Sequence, residues 1–212
     1  MPRVRKELLE AANTLAKRDR VMRRIVGEVG PPDLRRGRAR YQHFAELARA
    51  VCYQQLAGAA ARTIHGRFRD LFDGEPTPEA VLAIPVELLR AAGLSGAKTA
   101  SIRDLAEKVV DGTVRLDRVG RLSDDEIVRE LTLVRGIGRW TAEMFLMFQL
   151  GRLDVWPTGD FGVRKGYGLL YNLDPMPTAN DLEERGEVFR PYRSVAAWYC
   201  WRAVDTVLPT AP

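Results

Sequence analysis

Apolar residues recur along this chain every three to four positions and nowhere alternate for long. The pattern therefore predicts helices throughout and no strand. Leu8, Leu9, Ala12 and Leu15 share one face of a helical stretch within residues 4–28, with Asp19 placed to cap a second helix inside it. Gly30-Pro31-Pro32 ends that stretch, because a proline pair cannot continue a helix. Tyr41, Phe44, Leu47, Ala48 and Val51 carry a 3.6 period that breaks at Gln54-Gln55-Leu56-Ala57-Gly58, and Ala60, Ala61, Ile64 and Phe68 begin another helix. Thr77-Pro78-Glu79 joins an N-cap residue, a first-position proline and an early acid, and predicts short helices over 78–83 and 86–91. Gly93-Leu94-Ser95 opens a helix that buries Ile102, Leu105, Ala106 and Val109. Ser123-Asp124-Asp125-Glu126 has the spacing of a capping box for a helix ending near Thr132. Arg139 to Leu150 reads as a helix apolar almost all round, followed by a loop at Trp156-Pro157-Thr158-Gly159. Helices over 161–171 and 178–189, and one opening at Pro191-Tyr192-Arg193-Ser194, complete an all-α chain.

Composition adds boundaries to this picture. A chain of 212 residues, 46% of them hydrophobic, has material for one core or two small ones. Its net charge of +5 suits an anionic partner such as nucleic acid. No 18-residue apolar run occurs and no signal-peptide core follows the basic N-terminus, so the reading is a soluble cytoplasmic protein, nucleoid-associated in a bacterium, with no membrane partner. Cys52 and Cys200 have no metal-ligand spacing and read as free buried thiols. Arg35, Arg36, Arg38 and Arg40 form a basic loop, either a DNA contact or a solvated segment.

Three places carry candidate chemistry. Gly136-Ile137-Gly138 is a tight turn between two helices, in which glycines clear room for a phosphate and helix-opening amides face an anion. A plain helical connection is the alternative there. Asp160 is an isolated carboxylate at a helix start, either a reacting group or an ordinary N-cap. Leu56, apolar beside two glutamines at a helix break, is either a wedge for a base step or a core residue.

LVRGIGRWTAEMF (residues 133–145) followed by WPTGDFGVRKG, with QQL at 54–56 and AGLSGAKTASIRDLA earlier in the chain, resembles the helix–hairpin–helix (HhH-GPD) DNA glycosylase superfamily. The likeness runs from about residue 19 to 202 and is strongest to the alkylated-base branch, the DNA-3-methyladenine glycosylase II type. It implies two helical lobes around a DNA-binding cleft, residues 41–155 forming one and residues 1–40 with 156–212 the other. It implies that Gly136, Ile137, Gly138 and Arg139 bind a backbone phosphate, with a sodium or potassium ion at residues 133–138 and no other cofactor. Ser95 and Lys98 would meet a second phosphate, Leu56 would enter the gap left by a flipped nucleotide, and Gln55 beside it would contact DNA. Asp160, twenty positions beyond Trp140, matches the catalytic aspartate, and Trp140, Met144 and Trp201 match the base pocket. Met144 departs from members with an aromatic residue there, which bears on base preference and not on the reaction.

The implied function is a monofunctional, monomeric glycosylase that excises alkylated purines of the 3-methyladenine and 7-methylguanine type from double-stranded DNA in base excision repair. Two cysteines cannot supply the four thiolates of the iron–sulfur cluster that some relatives hold. Bifunctional relatives carry a Schiff-base lysine two residues after the second hairpin glycine, where this chain has Trp140. The rival from another class is a non-catalytic helix–hairpin–helix DNA-binding protein, which needs the hairpin and the charge but not Asp160. A basic helical interaction protein is the plainest alternative.

Overall fold

A computed structural model describes residues 2–34 and 42–207, and among these there are helices and turns but no strand. The basic loop of Arg35, Arg36, Arg38 and Arg40 lies outside the described residues. The helices are α1 (Pro2–Arg18), α2 (Arg20–Val29), α3 (His43–Tyr53), α4 (Gly58–Arg69), α5 (Pro78–Ala83), α6 (Val86–Ala91), α7 (Gly96–Val110), α8 (Asp124–Thr132), α9 (Arg139–Met144), α10 (Phe161–Tyr171), α11 (Ala179–Arg185) and α12 (Arg193–Val207). None is long and apolar enough to cross a membrane.

The helix starts follow from their caps. Asp19 Oδ1 accepts the Met22 amide at 2.8 Å, Thr77 Oγ1 that of Ala80 at 3.2 Å and Ser95 Oγ that of Lys98 at 3.3 Å. Ser123 with Glu126, and Thr178 with Asp181, close reciprocal capping boxes. Two expected helices are interrupted. The helix from Arg139 turns at Phe145 into a π turn, Phe145–Gln149. The segment from Thr178 splits at Gly186 into α11 and a 3-10 turn, Glu187–Phe189.

The chain divides into two compact units, Met1–Gly37 with Leu146–Pro212, and Arg38–Phe145. In the first unit α12 packs against α10, α1 and α2, with Tyr199, Phe189, Leu15 and Met22 fully buried. In the second, α7 packs against α3, α5 and α6, and α8 against α9, around Phe68, Leu47, Leu105 and Leu131. The segment leading to Asp160 is fastened to the start of α12. Arg193, 9% exposed, donates to Asp154 Oδ1 at 2.8 Å, and Ser194 Oγ accepts the Val155 amide at 2.9 Å. A charge-assisted pair whose cation is largely withdrawn from water is weakened less by solvent than a fully exposed one.

Candidate nucleic-acid interface and reacting carboxylate

The second unit carries the hairpin. Gly136 has φ +76, and a Cβ there would stand 2.4 Å from Ser101 Oγ on α7, so both conformation and space require glycine. Gly138 differs: its φ is −91, and a Cβ would meet nothing within 4 Å. No contact within the protein therefore requires glycine at that position. Gly138 is the N-cap of α9 and supplies no side-chain acceptor to its first turn.

Ile137 is 3% exposed and its amide donates to Val134 O at 3.1 Å, so it anchors the turn and presents neither side chain nor amide outward. The Arg139 guanidinium is 70% exposed and pairs with the buried Glu143 carboxylate at 2.9 Å. Asp104 on α7 accepts the Arg135 amide at 2.7 Å at the entrance to the turn. Burial opposes its ionisation, but hydrogen bonds from Lys108 and the Arg135 amide, with the charges of both residues, hold its carboxyl below the usual range.

The break after α3 lies beside this turn. Gln54 Nε2 donates to Gly136 O at 3.0 Å. The next residue, Gln55, is exposed with φ +55, a left-handed conformation that costs a non-glycine residue about 1 kcal/mol. Leu56 follows at 39% exposure, so the core reading of this leucine does not hold. The two residues assigned to a second phosphate have internal duties. Ser95 caps α7, and the Lys98 ammonium donates to Cys52 O at 2.8 Å at the end of α3, partly withdrawn from solvent.

The first unit carries the carboxylate. Asp160 is the N-cap of α10, and its Oδ1 accepts the Val163 amide at 2.8 Å. The same oxygen accepts the Trp201 indole N–H, from α12, at 2.9 Å. Trp201 in turn stacks on Phe148, with ring centroids 5.9 Å apart and planes at 25°. Gly162 makes this possible, since a Cβ there would lie 2.8 Å from Trp201 Cδ1 and 3.1 Å from Asp160 Oδ1. Cys200, beside Trp201, is fully buried, and burial first, then the charge of Asp160, pushes its thiol well up. Cys52 sits in the other unit with its thiol pushed up by burial to about 12, against the lowering effect of Lys98, so both sulfurs are poor nucleophiles.

Of the expected pocket residues, Trp201 meets Asp160. Trp140 stands 50% exposed on α9 and Met144 half-buried at its end, both in the second unit. Beside Asp160 the structure adds Phe148, Gly162 and Phe161, an aromatic side chain 62% exposed, and beside the hairpin turn it adds Gln54. Among the described residues no cluster of three or more His, Cys, Asp or Glu side chains is placed to hold a metal.

The chain is similar to known proteins. The family model described as HhH-GPD superfamily base excision DNA repair protein matches residues 48–191. The DNA-3-methyladenine glycosylase 1 of Schizosaccharomyces pombe is 36% identical over 211 residues, covering 97% of this chain and 92% of its own length. A solved structure of 3-methyladenine DNA glycosylase from that yeast, in complex with abasic DNA, superposes with a TM-score of 0.78 at 37% identity over 91% of this chain and 95% of its own. A DNA-3-methyladenine glycosidase from Bacillus halodurans gives 0.84 at 33% identity, over 92% and 89%. With that family model matching most of its length and a relative 36% identical over 97% of it, the chain belongs to the HhH-GPD superfamily of base excision DNA repair proteins.

Proposed function

We propose that this protein is a monofunctional DNA glycosylase that removes alkylated purines from double-stranded DNA. The observation that carries the reading is Asp160, held by two N–H donors at the start of α10 and adjoined by the Trp201–Phe148 stack. Breaking the C1′–N bond sends the bonding pair out with the base and leaves positive charge on the sugar. A fixed carboxylate stabilises that charge and orients the water that adds to C1′, whose proton is then released. The products are a free base and an abasic site.

A purine alkylated at N3 or N7 is already cationic and departs neutral, so the reaction needs no strong general acid. Aromatic faces such as those of Trp201, Phe148 and Phe161 attract such a cation by up to ~2 kcal/mol when desolvated. Leu56 fills the space of the extruded nucleotide, and the amides after Gly138 hold a phosphate. A sodium or potassium ion held at residues 133–138 would add positive charge to that grip, and the protein acts as a monomer.

The reading is tested with a duplex bearing one alkylated purine. The strand should break only after alkali, because no lysine stands at the Schiff-base position taken by Trp140. Breakage without alkali would indicate lyase chemistry, and an alkali-stable strand would favour the non-catalytic DNA-binding module, in which Asp160 merely caps α10.

Two predictions probe the DNA-facing residues. Gly138→Leu meets no internal obstacle and should cost less than about 1 kcal/mol of stability. It should weaken binding to all DNA sequences alike by about tenfold, since phosphate contacts carry no sequence information. Fluorescence anisotropy on several unrelated duplexes checks this, and unchanged affinity would make the hairpin merely structural. Leu56→Ala should slow excision from duplex far more than from single strands, where no gap opens. Equal loss on both substrates would remove Leu56 from the wedge role.

A further inference from the structure

Gln54 joins two elements that the proposed function treats separately. It is the last residue before the chain reverses at Gln55, where φ is +55, and Leu56 stands exposed two positions later. Its side-chain amide crosses to the hairpin and donates to Gly136 O at 3.0 Å, a contact between residues 82 apart in sequence. A carbonyl only accepts, so the amide nitrogen is the atom that faces it.

The acceptor belongs to a closely packed turn. Gly136 is pressed against Ser101, and the preceding amide, of Arg135, is tied to Asp104. The same end of α3 is held a second time, through Lys98 Nζ on Cys52 O. Gln54 therefore links the hairpin turn directly to the exposed leucine loop, and the end of α3 has its own support without it.

We infer that Gln54 is a positioning residue that registers Leu56 against the hairpin, so that gripping the backbone phosphate aims the wedge at the base step. This rests on the wedge role of Leu56 and deepens the glycosylase reading. Gln54 touches no reacting atom. It acts through Leu56, and its effect must vanish when Leu56 is absent.

A double-mutant cycle tests this. Gln54→Ala, with unchanged circular dichroism and melting, should bind undamaged duplex within about threefold of the parent. It should slow single-turnover excision from duplex by about tenfold, the scale of one lost hydrogen bond. Excision from the corresponding single strand should be unchanged, and Gln54→Ala should add nothing to Leu56→Ala. Losses that multiply in the double variant, or that are equal on duplex and single strand, would overturn the inference.

A second readout needs no excision. 2-Aminopurine placed beside an abasic-site analogue brightens when a wedge unstacks it, and Gln54→Ala should lose that brightening to the same degree as Leu56→Ala. If the parent protein releases no base, the glycosylase reading fails, and this fluorescence still judges the latch: full brightening in Gln54→Ala refutes it, and loss in both variants supports it.

Discussion

Asp160→Asn is expected to leave a folded protein that binds DNA at least as tightly as the parent and releases base at least ~100-fold more slowly. Asparagine keeps a side-chain oxygen for the Val163 amide and the Trp201 indole, so the cap of α10 and the position of Trp201 survive. What disappears is the negative charge that balances the sugar cation as the C1′–N bond opens. Affinity rises slightly because one negative charge near the phosphates is gone. The loss should be smaller for 7-methylguanine than for 3-methyladenine, since a more labile bond needs less electrostatic help. Single-turnover kinetics on both bases, with anisotropy for binding, check the result. An Asn variant that excises 3-methyladenine at the parental rate would remove Asp160 from the mechanism.

Gly166→Ala should destabilise the protein by about 3 kcal/mol or more and lower its melting temperature by roughly 6–12 °C. Gly166 lies inside α10 where α12 passes closest, and an added Cβ would fall 1.9 Å from Cys200 O. Replacing glycine with alanine in a helix interior gains about 1 kcal/mol of helix propensity. That gain is too small here, because the obstacle is backbone and cannot turn aside. Gly27→Ala in α2 is the matched control: nothing lies within 4 Å of its Cβ, so propensity should act alone and stability should hold or rise. The spacing of α10 and α12 also sets the reach from Trp201 to Asp160, so Gly166→Ala should lose activity below its melting temperature. Thermal unfolding followed by circular dichroism decides the point, and a melting temperature within about 2 °C of the parent would show that the two helices can part at little cost.

Much of this was legible in the sequence, for physical reasons that differ by residue. Capping residues act on amides two or three positions away, so Asp19, Thr77, Ser95, Ser123 and Thr178 announce their helices locally. Gly136 and Asp160 stood out by motif and spacing. The partners of those residues did not, because nothing local joins Trp201 to Asp160 across 41 positions, or Gln54 to Gly136 across 82. Either glutamine of the pair at 54–55 reads alike until one takes a left-handed φ and the other reaches the turn. Phe148 was hidden by the π turn, whose extra residue shifts the helical register that periodicity assumes. Lys98 was matched to a second phosphate, and a lysine gives no sign in sequence that its ammonium caps a neighbouring helix.

The most direct test of the central claim is the identity of the released product. DNA methylated with a label on the transferred methyl group is incubated with the purified protein, and the soluble fraction is resolved by chromatography. The account predicts labelled 3-methyladenine, as the free base and not as a nucleotide, with one abasic site left in the DNA for each base released. No free methylated base, at protein concentrations that saturate the DNA, would contradict it.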